Sequence, residues 1–279
     1  MSQPTPSIRI NVDVTNPGQF FACCGLLELA DRLWPGAEGW FEGKEFCIVC
    51  GGTLRDLLEA ARAVTINDVG SNSDSDDDTD AEEESDSSLT PVELLTPIAL
   101  RLDWWADKSI KTWAGSMNVH CITIAMANAI DPNKLDPFSQ CEVTFDPRKP
   151  DEKQGKRGVG KRKKREPFYF DSRRGPNAHS RDVGFSPNDL KITTTASPVV
   201  EFFCLLGLQR SRPKHTSRPR IFNYFTWTSP LSISILPAAV SGLLPIVVGD
   251  AYQFSNEFRS GQKKLKAFSP AVPFFSQGD

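Results

Sequence analysis

Apolar residues in the first part of the chain follow two different periods, which predict a strand and then a helix. Residues 8–14 alternate between apolar and polar side chains, as a strand with one buried face does. Asn16 and Pro17 then combine a helix N-cap with a proline suited to the first turn. The apolar residues between 20 and 30 continue this segment as a helix.

Local motifs mark two further features of the helices. Glu28 and Arg32 lie one turn apart, a spacing that predicts an ion pair. Thr53 and Asp56 have the spacing of a capping box, which predicts that a second helix begins after Thr53. The same patterns predict further strands at residues 45–50, 98–104, 141–145, 221–228 and 231–236, and further helices at residues 118–130 and 198–208.

A short motif occurs twice in the chain. Residues 20–26 and residues 202–208 share the pattern F-F-x-x-x-G-L, and a proline precedes each copy. Duplication of a strand–helix unit would explain the echo, and so would coincidence between two core helices. The mixed order of strands and helices predicts an α+β fold, in which two related strand–helix halves are one hypothesis.

The charge of the chain is unevenly distributed. Residues 68–86 contain ten acidic residues and no basic one, and removing these charges from the net charge of -3 leaves the rest of the chain at +7. A basic body with an acidic segment points to a polyanionic partner.

These composition shifts divide the chain into regions. We predict an N-terminal α+β region formed by residues 1–67 and 89–146, and a C-terminal α/β region at residues 181–279. Residues 68–88 form an acidic insertion with too few apolar residues to fold, so we expect it to be disordered. Either it is a plain surface insertion or it screens the basic face by mimicking nucleic acid. Residues 147–180 are predicted to form a long basic loop.

Three basic clusters are candidates for contact with a nucleic-acid backbone, because lysine and arginine neutralise phosphates and release counterions. The basic loop contains Lys161, Arg162, Lys163, Lys164, Arg165, Arg173 and Arg174. The second cluster contains Arg210, Arg212, Lys214, Arg218 and Arg220, and the third contains Arg259, Lys263, Lys264 and Lys266. Beside the basic loop, Phe168, Tyr169 and Phe170 are candidate stacking faces for bases. A solvated surface or a localisation signal is the alternative for a single such cluster.

A tryptophan-rich turn between residues 102 and 118 is the candidate for reading base pairs. Three tryptophans in ten residues are costly unless they are buried or used for stacking, so a core corner is the alternative. The residues that combine a ring, cations and short polar groups here are Lys108, Lys111, Trp113, Ser116 and Asn118.

No catalytic or metal-binding constellation is recognisable in the sequence. It contains no nucleophile elbow, no phosphate-binding loop and no paired metal-ligating histidines, so we predict a protein without catalytic residues or cofactors. Cys47 and Cys50 have half the spacing of a zinc site, but they lie in an apolar strand without a second pair, which favours core thiols over a metal site.

The membrane and the oxidising compartments are not expected locations. Residues 221–249 carry no charge, but three prolines interrupt them, which favours buried strands over a membrane span. Seven scattered cysteines and the absence of a signal-peptide pattern predict a cytoplasmic protein with reduced thiols.

Three segments together resemble a known family. They are N-P-G-Q-F-F-A-C-C-G-L-L-E-L-A at residues 16–30, L-D-W-W at residues 102–105 and K-T-W-A-G at residues 111–115. They resemble the Csb-type (Csx-like) proteins of type I-U, or I-G, CRISPR loci, which are similar in role to the large subunit of the surveillance complex Cascade. The resemblance covers residues 8–130, and the acidic insertion and the basic loop lie outside the matched motifs.

The resemblance implies a non-catalytic subunit of an RNA-guided complex. Such a subunit would contact the guide RNA (crRNA), double-stranded target DNA, other Cascade subunits and the helicase-nuclease. It would read the flanking motif (PAM) and assist R-loop formation, while guide pairing supplies the sequence specificity. A CRISPR-associated RNA-processing nuclease and a general RNA-binding scaffold protein are the alternatives.

Overall fold

The computed structural model describes residues 3–68, 90–114, 117–145, 167–174, 194–244, 248–259 and 265–274. Within these ranges the protein has the predicted α+β fold. The prediction that residues 68–88 are disordered is wrong at Asp68, which ends the strand Ile66–Asp68. Residues 69–88, and residues 161–165 of the predicted basic loop, lie outside the described residues.

The helices agree with the capping signals in the sequence. Helix α1 has Asn16 as its N-cap, and the Asn16 side chain accepts hydrogen bonds from the backbone N–H groups of Gly18 and Gln19. Thr53 and Asp56 form the predicted capping box of α2. The helices are α1 (Pro17–Leu33), α2 (Leu54–Ala63), α3 (Val119–Asn128), α4 (Pro198–Arg210) and α5 (Leu236–Val240).

The first sheet is built around a split βαβ arrangement. Its strands are β1 (Ile8–Asn11), β2 (Glu38–Glu42), β3 (Glu45–Val49) and β11 (Leu231–Ser232), in the order β1-β3-β2-β11. Strands β1 and β2 are both antiparallel to β3, so they run parallel to each other and α1 connects them as a crossover. Because β11 pairs with β2, the C-terminal part of the chain completes this N-terminal sheet.

The second sheet contains only strands from the C-terminal part of the chain. Its strands are β9 (Lys214–His215), β10 (Ile221–Trp227), β12 (Val248–Phe258), β13 (Lys266–Phe268) and β14 (Val272–Pro273). The main order is β13-β12-β10-β9, and β14 also pairs with β12. In the part of the chain that the structure describes, β9 is therefore an edge strand with two residues in the ladder.

Two smaller sheets complete the described structure. Strands β4 (Ile66–Asp68), β5 (Val92–Leu94) and β6 (Leu100–Leu102) form one of them, and β7 (Glu142–Phe145) pairs with β8 (Thr194–Ala196) in the other. The acidic insertion joins β4 to β5, which are antiparallel neighbours with Asp68 opposite Val92.

Helices α1 and α4 pack closely against each other through two glycines. A Cβ atom added at Gly25 would collide with the carbonyl oxygen of Phe203, and one added at Gly207 would collide with the carbonyl oxygen of Phe21. These four residues are the equivalent positions of the repeated F-F-x-x-x-G-L motif. The contact is therefore reciprocal, as expected for two copies of one helix related by a local two-fold axis.

The strands around the two helices differ, so duplication of a strand–helix unit stays a hypothesis. Strand β1, before α1, pairs within the four-stranded sheet, whereas β8, before α4, pairs only with β7 in the described structure. The repeated motif itself has a physical explanation in the helix contact, because only glycine lets the two backbones approach this closely.

Aromatic side chains from both sheets meet on α1. The ring of Phe20 stacks on Phe41 of the first sheet and contacts Tyr224 of the second at 4.3 Å between centroids. Trp227 Nε1 donates a hydrogen bond of 2.7 Å to the carbonyl of Gly39, which ties β10 to β2. The four aromatic residues belong to one continuous hydrophobic core.

Two predicted strands are shorter in the structure. The strand predicted at residues 98–104 is confined to β6 (Leu100–Leu102), and Trp104 begins a short 3-10 helix. The strand predicted at residues 231–236 ends at Ser232, and α5 follows because Pro237 occupies a first-turn position, where proline is well tolerated. The eleven-residue strand β12 was not predicted. Its apolar alternation is short, since Tyr252 and Phe254 point inward but the next inward residue is the polar Asn256.

The glycine contact gives a first prediction. Replacing Gly25 or Gly207 by alanine should lower the free energy of unfolding by about 3 kcal/mol, because the added methyl group meets a backbone carbonyl that cannot rotate away. The double variant should cost less than the sum of the single variants, because both methyl groups disturb the same contact. Urea unfolding followed by circular dichroism measures these values.

Gly43→Ala is the matched control. Gly43 has a φ of 60° and no atom within 4 Å of an added Cβ, so its replacement should cost only the left-handed strain of about 1 kcal/mol. Equal losses for Gly43→Ala and Gly25→Ala would contradict the close helix contact.

Candidate nucleic-acid interface

The tryptophan-rich turn is a corner of the core. Trp104, Trp105 and Trp113 are at most 3% exposed and pack edge-to-face with centroid distances of 5.7–5.8 Å. Trp104 Nε1 also donates a hydrogen bond of 3.0 Å to the carbonyl of Leu205 in α4. The prediction that Trp113 offers a stacking surface to nucleic acid is therefore wrong for this structure, and the core alternative describes the turn.

Asn256 of β12 holds the tryptophan-rich turn through its side-chain hydrogen bonds. Its side-chain amide is fully buried and donates hydrogen bonds to the carbonyls of Ser109 at 3.0 Å and Ile110 at 2.9 Å. The backbone N–H of Lys266 adds a hydrogen bond of 2.7 Å to the carbonyl of Thr112. Strands β12 and β13 therefore fix the conformation of residues 109–112.

The other residues predicted to read base pairs are dispersed. Lys111 is 4% exposed, and its ammonium lies 5.7 Å from the centre of the Trp113 ring, so its predicted role as a surface donor is corrected as well. Lys108 is exposed. Asn118 is exposed but serves as the N-cap of α3, where its side chain accepts a hydrogen bond from the N–H of Cys121. Ser116 lies outside the described residues.

Part of the predicted basic loop of residues 147–180 is packed into the fold, since residues 167–172 are buried. Phe168, Tyr169 and Phe170 are at most 3% exposed, so they pack in the core and do not offer the predicted stacking faces. The Arg259 guanidinium lies 3.4 Å from the centre of the Tyr169 ring, which gives this member of the third basic cluster a structural contact.

Arg173 takes part in a buried polar cluster at the N-termini of α1 and α4. Its guanidinium binds the Asp171 carboxylate at 2.9 and 3.0 Å and donates to the carbonyl of Phe138 at 2.8 Å. The hydrogen bonds to Asp171 raise the pKa of Arg173 further above its ordinary value. Asn16 donates to the same carboxylate at 2.7 Å. The Arg173 side chain therefore makes contacts within the protein. Arg174 is the last residue of the short helix Ser172–Arg174.

Arg210 is likewise engaged in the fold. Its guanidinium Nε donates a hydrogen bond of 2.9 Å to Glu28, whose side chain is only 4% exposed. The other oxygen of Glu28 binds Arg32 at 2.8 Å, which confirms the predicted ion pair within α1. Arg32 also donates to the carbonyls of Ile98 and Ala99 at 2.9 and 2.8 Å. Glu28 therefore joins α1, α4 and the turn before β6.

Four cations of the second cluster remain on the surface. Arg212, Lys214, Arg218 and Arg220 are exposed, and none of them pairs with a carboxylate in the described ranges. They lie on the edge strand β9 and its connections, and we call residues 212–220 the basic hairpin. Arg220 has a left-handed backbone with a φ of 61°, and its guanidinium lies 4.7 Å from the centre of the Phe258 ring.

The register of the second sheet aligns Lys214 with two amide side chains. Lys214 lies opposite Asn223 of β10, and Asn223 lies opposite Gln253 of β12. Directly opposed residues in antiparallel strands share a face, so these three side chains form a row across the sheet. We call this side, on which Ile221, Phe225, Ala251 and Ser255 are also half-buried, the outer face.

The inner face of the same strands is packed. Phe222, Tyr224 and Phe254 are buried against the core. His215, which lies opposite Phe222, pairs with Asp107 at 3.4 Å. Partial burial of the Asp107 carboxyl opposes ionisation, but hydrogen bonds from Ser109 and the His215 ring together lower its pKa. The Asp107–His215 pair therefore fastens β9 to the tryptophan-rich turn.

Four of the seven cysteines are buried, Cys50 is half-buried, and Cys121 and Cys141 are exposed. Burial raises the pKa of Cys24 to about 12 and that of Cys47 to about 11, which disfavours the thiolate form that binds metals. Among the residues that the structure describes, no group of three or more His, Cys, Asp or Glu side chains is placed to hold a metal ion. No described helix has the length and apolar character needed to cross a membrane.

Asn223 and Gln253, the two amides in line with Lys214, were not among the predicted site residues. The signal for Asn223 is a polar residue at the centre of an alternating strand, at a position that points away from the buried Phe222 and Tyr224. Gln253 lies between Tyr252 and Phe254 in the strand that was not predicted. The charge clusters were found, but their sequence does not separate exposed arginines from paired ones.

Comparison with protein-family models, with curated proteins and with solved structures finds no match to this chain.

The clamp on the tryptophan-rich turn gives a second prediction. Asn256→Ala should lower the free energy of unfolding by about 2–3 kcal/mol, because it leaves the buried carbonyls of Ser109 and Ile110 without their donor. The exposed Asn133→Ala should change stability by less than about 0.5 kcal/mol. Thermal and urea unfolding measure both variants, and equal effects would refute the clamp.

The buried carboxylate of Glu28 gives a third prediction. Glu28→Gln should cost about 2 kcal/mol, because Arg32 and Arg210 lose a charged partner that is shielded from water. Glu59→Gln is the matched control, since Glu59 pairs with Arg55 one turn away on the surface, where such pairs contribute about 0.3–0.5 kcal/mol. Urea unfolding compares the two, and a loss no larger than that of the control would argue against the three-way junction.

Proposed function

We propose that the protein is a non-catalytic nucleic-acid-binding subunit of a larger nucleoprotein assembly. The observation that carries this proposal is the basic hairpin, where Arg212, Lys214, Arg218 and Arg220 are exposed without carboxylate partners among the described residues. Exposed cations gathered on one edge attract a polyanion, and their contacts with phosphates release condensed counterions. Cations scattered among carboxylates would not concentrate positive potential in this way.

The basic loop carries further positive charge that would favour a polyanionic partner. Lys161, Arg162, Lys163, Lys164 and Arg165 lie outside the described residues, so their support for the proposal comes from their sequence alone. The loop re-enters the fold at residues 167–171, which are buried against α1 and α4.

The finer proposal rests on the family resemblance. We propose a large-subunit-like component of a type I (I-U/I-G) CRISPR surveillance complex, with guide RNA, double-stranded target DNA, other Cascade subunits and a helicase-nuclease as partners. Because Lys111 and Trp113 are buried, the basic hairpin replaces the tryptophan-rich turn as the proposed surface near the flanking motif. Protein contacts to the flanking motif and to the nucleic-acid backbone, with sequence specificity left to guide pairing, are a task that such a basic surface suits.

Salt dependence of binding tests the hairpin and is the fourth prediction. The triple variant Arg212→Ser, Lys214→Ser and Arg218→Ser should weaken binding to duplexes of any sequence. It should also reduce the slope of log affinity against log salt by about 2–3, since each lost phosphate contact contributes about 0.9. Fluorescence anisotropy with a labelled 20-base-pair duplex between 50 and 250 mM salt measures the slope.

A second triple variant controls for net charge. Lys44, Arg62 and Lys134 are exposed and lie outside the basic hairpin, so their replacement by serine removes the same charge elsewhere. This control should leave the slope nearly unchanged. If both triple variants reduce the slope equally, binding depends on net charge and the hairpin is not the interface.

Co-purification tests the finer proposal. Expressed with its neighbouring genes, the tagged chain should bring down one small RNA of discrete length together with repeated backbone subunits. RNA of heterogeneous length without such subunits would support the general scaffold instead, and cleavage of a precursor RNA by the isolated chain would support a nuclease.

A further inference from the structure

Resting on the proposed function, we infer that the outer face of the second sheet binds single-stranded nucleic acid. In this arrangement phosphates lie along the basic hairpin, and a base reaches inward over Asn223 and Gln253. The exposed cations alone would bind a single strand or a duplex, and they do not identify Asn223 and Gln253 as residues that contact a base.

The spacing of the row supports this placement. Lys214, Asn223 and Gln253 occupy directly opposed positions on three neighbouring strands, and such strands lie about 4.8 Å apart. The cation is therefore separated from the two amides by one and two strand spacings, or about 5 and 10 Å. A nucleotide with its phosphate at the sheet edge can extend its base across this distance, since the edge provides the charge and the centre provides the polar groups.

The two amides form a donor and acceptor pair. Gln253 Nε2 donates a hydrogen bond of 2.9 Å to Asn223 Oδ1, which leaves the Asn223 amide N–H groups and the Gln253 amide oxygen directed elsewhere. If both amides were turned over, the pair would still present one donor and one acceptor. Adjacent donors and acceptors are what the edge of a base requires, and the mutual hydrogen bond holds them in place before a ligand arrives.

The neighbours on the outer face define the extent of the site. Ile221 and Phe225 flank Asn223 along β10, and the Phe225 ring is supported edge-on by Phe274 at 5.8 Å. Further along β12, Ser255 donates a hydrogen bond of 2.6 Å to Glu257, and Arg220 of the basic hairpin lies over the ring of the neighbouring Phe258.

The form of the sheet favours a single strand over a duplex. Asn223 and Gln253 are half-buried on a sheet face, so they do not project far enough to enter the groove of a helix. The bases of a duplex are stacked and paired, whereas those of a single strand can turn outward onto a sheet and use their hydrogen-bonding edges. A single strand therefore reaches both the cations and the amides, and a duplex reaches only the cations.

Binding of matched oligonucleotides tests the inference and is the fifth prediction. Fluorescence anisotropy compares 12-nucleotide RNA, 12-nucleotide DNA and the corresponding DNA duplex at several salt concentrations, the same for each ligand. The wild-type chain should bind single strands more tightly than the duplex. The double variant Asn223→Ala and Gln253→Ala should weaken single-strand binding about tenfold, within the range expected for loss of one good base contact. Its salt slope should not change, because no phosphate contact is lost.

Controls separate a specific effect from misfolding. Asn133→Ala removes an exposed amide far from the row in sequence and should leave affinity unchanged. Thermal unfolding establishes that the double variant is folded, and Gln253→Ala alone replaces it if it is not. Crosslinking of a 4-thiouridine-containing RNA to the wild-type chain gives an independent measurement, with adducts expected in the peptides that contain β10 and β12.

The outcomes distinguish this inference from the proposed function. If the wild-type chain binds no oligonucleotide, both fail. If it binds with a slope that the hairpin triple variant reduces, but the amide variant binds normally, the proposed function stands and the amide site is refuted. Preference for the duplex, or crosslinks confined to other peptides, would also overturn the inference. The RNA and DNA samples show which single strand the face accepts.

Discussion

The reciprocal contact of Gly25 with Phe203 and of Gly207 with Phe21 brings α1 and α4 to backbone distance, and both sheets are arranged around this pair. Helix α1 supplies Phe20, which contacts rings from both sheets. Close approach without side chains between the backbones is possible only at glycine, so this constraint requires a specific residue at both positions. It also places the N-termini of the two helices side by side, next to the polar cluster around Asp171. Their C-termini lie together as well, where the buried carboxylate of Glu28 pairs with Arg210.

These buried polar contacts determine which cations remain available for a ligand. Arg32 and Arg210 neutralise Glu28, and Arg173 neutralises Asp171. A buried carboxylate left without its partner would be strongly unfavourable, so these arginines cannot turn toward a phosphate without a loss of stability. The four cations of the basic hairpin pair with no carboxylate among the described residues. The difference between the arginines that pair with buried carboxylates and those that do not is therefore a consequence of the fold.

Local signals were sufficient to predict much of the fold but little of the site. The N-cap at Asn16, the capping box at Thr53 and the Glu28–Arg32 pair depend on residues within one helical turn, and all three are confirmed. Burial of Trp113 depends on packing against residues more than 50 positions away, such as Phe168, which composition does not reveal. The row from Lys214 to Gln253 likewise requires the register of three strands, because distant segments supply its members.

The exposed Lys214 on β9 has a second physical explanation. Edge strands often carry lysine because a charge opposes pairing with another chain, and β9 is a short edge strand with Lys214 on it. Protection of an edge needs only one such charge, and it gives no reason for Arg212, Arg218 and Arg220 to gather beside it without carboxylates. Nor does it account for an amide pair aligned with Lys214 on the outer face. The row that continues from the edge into the sheet is what distinguishes a binding surface from a protected edge.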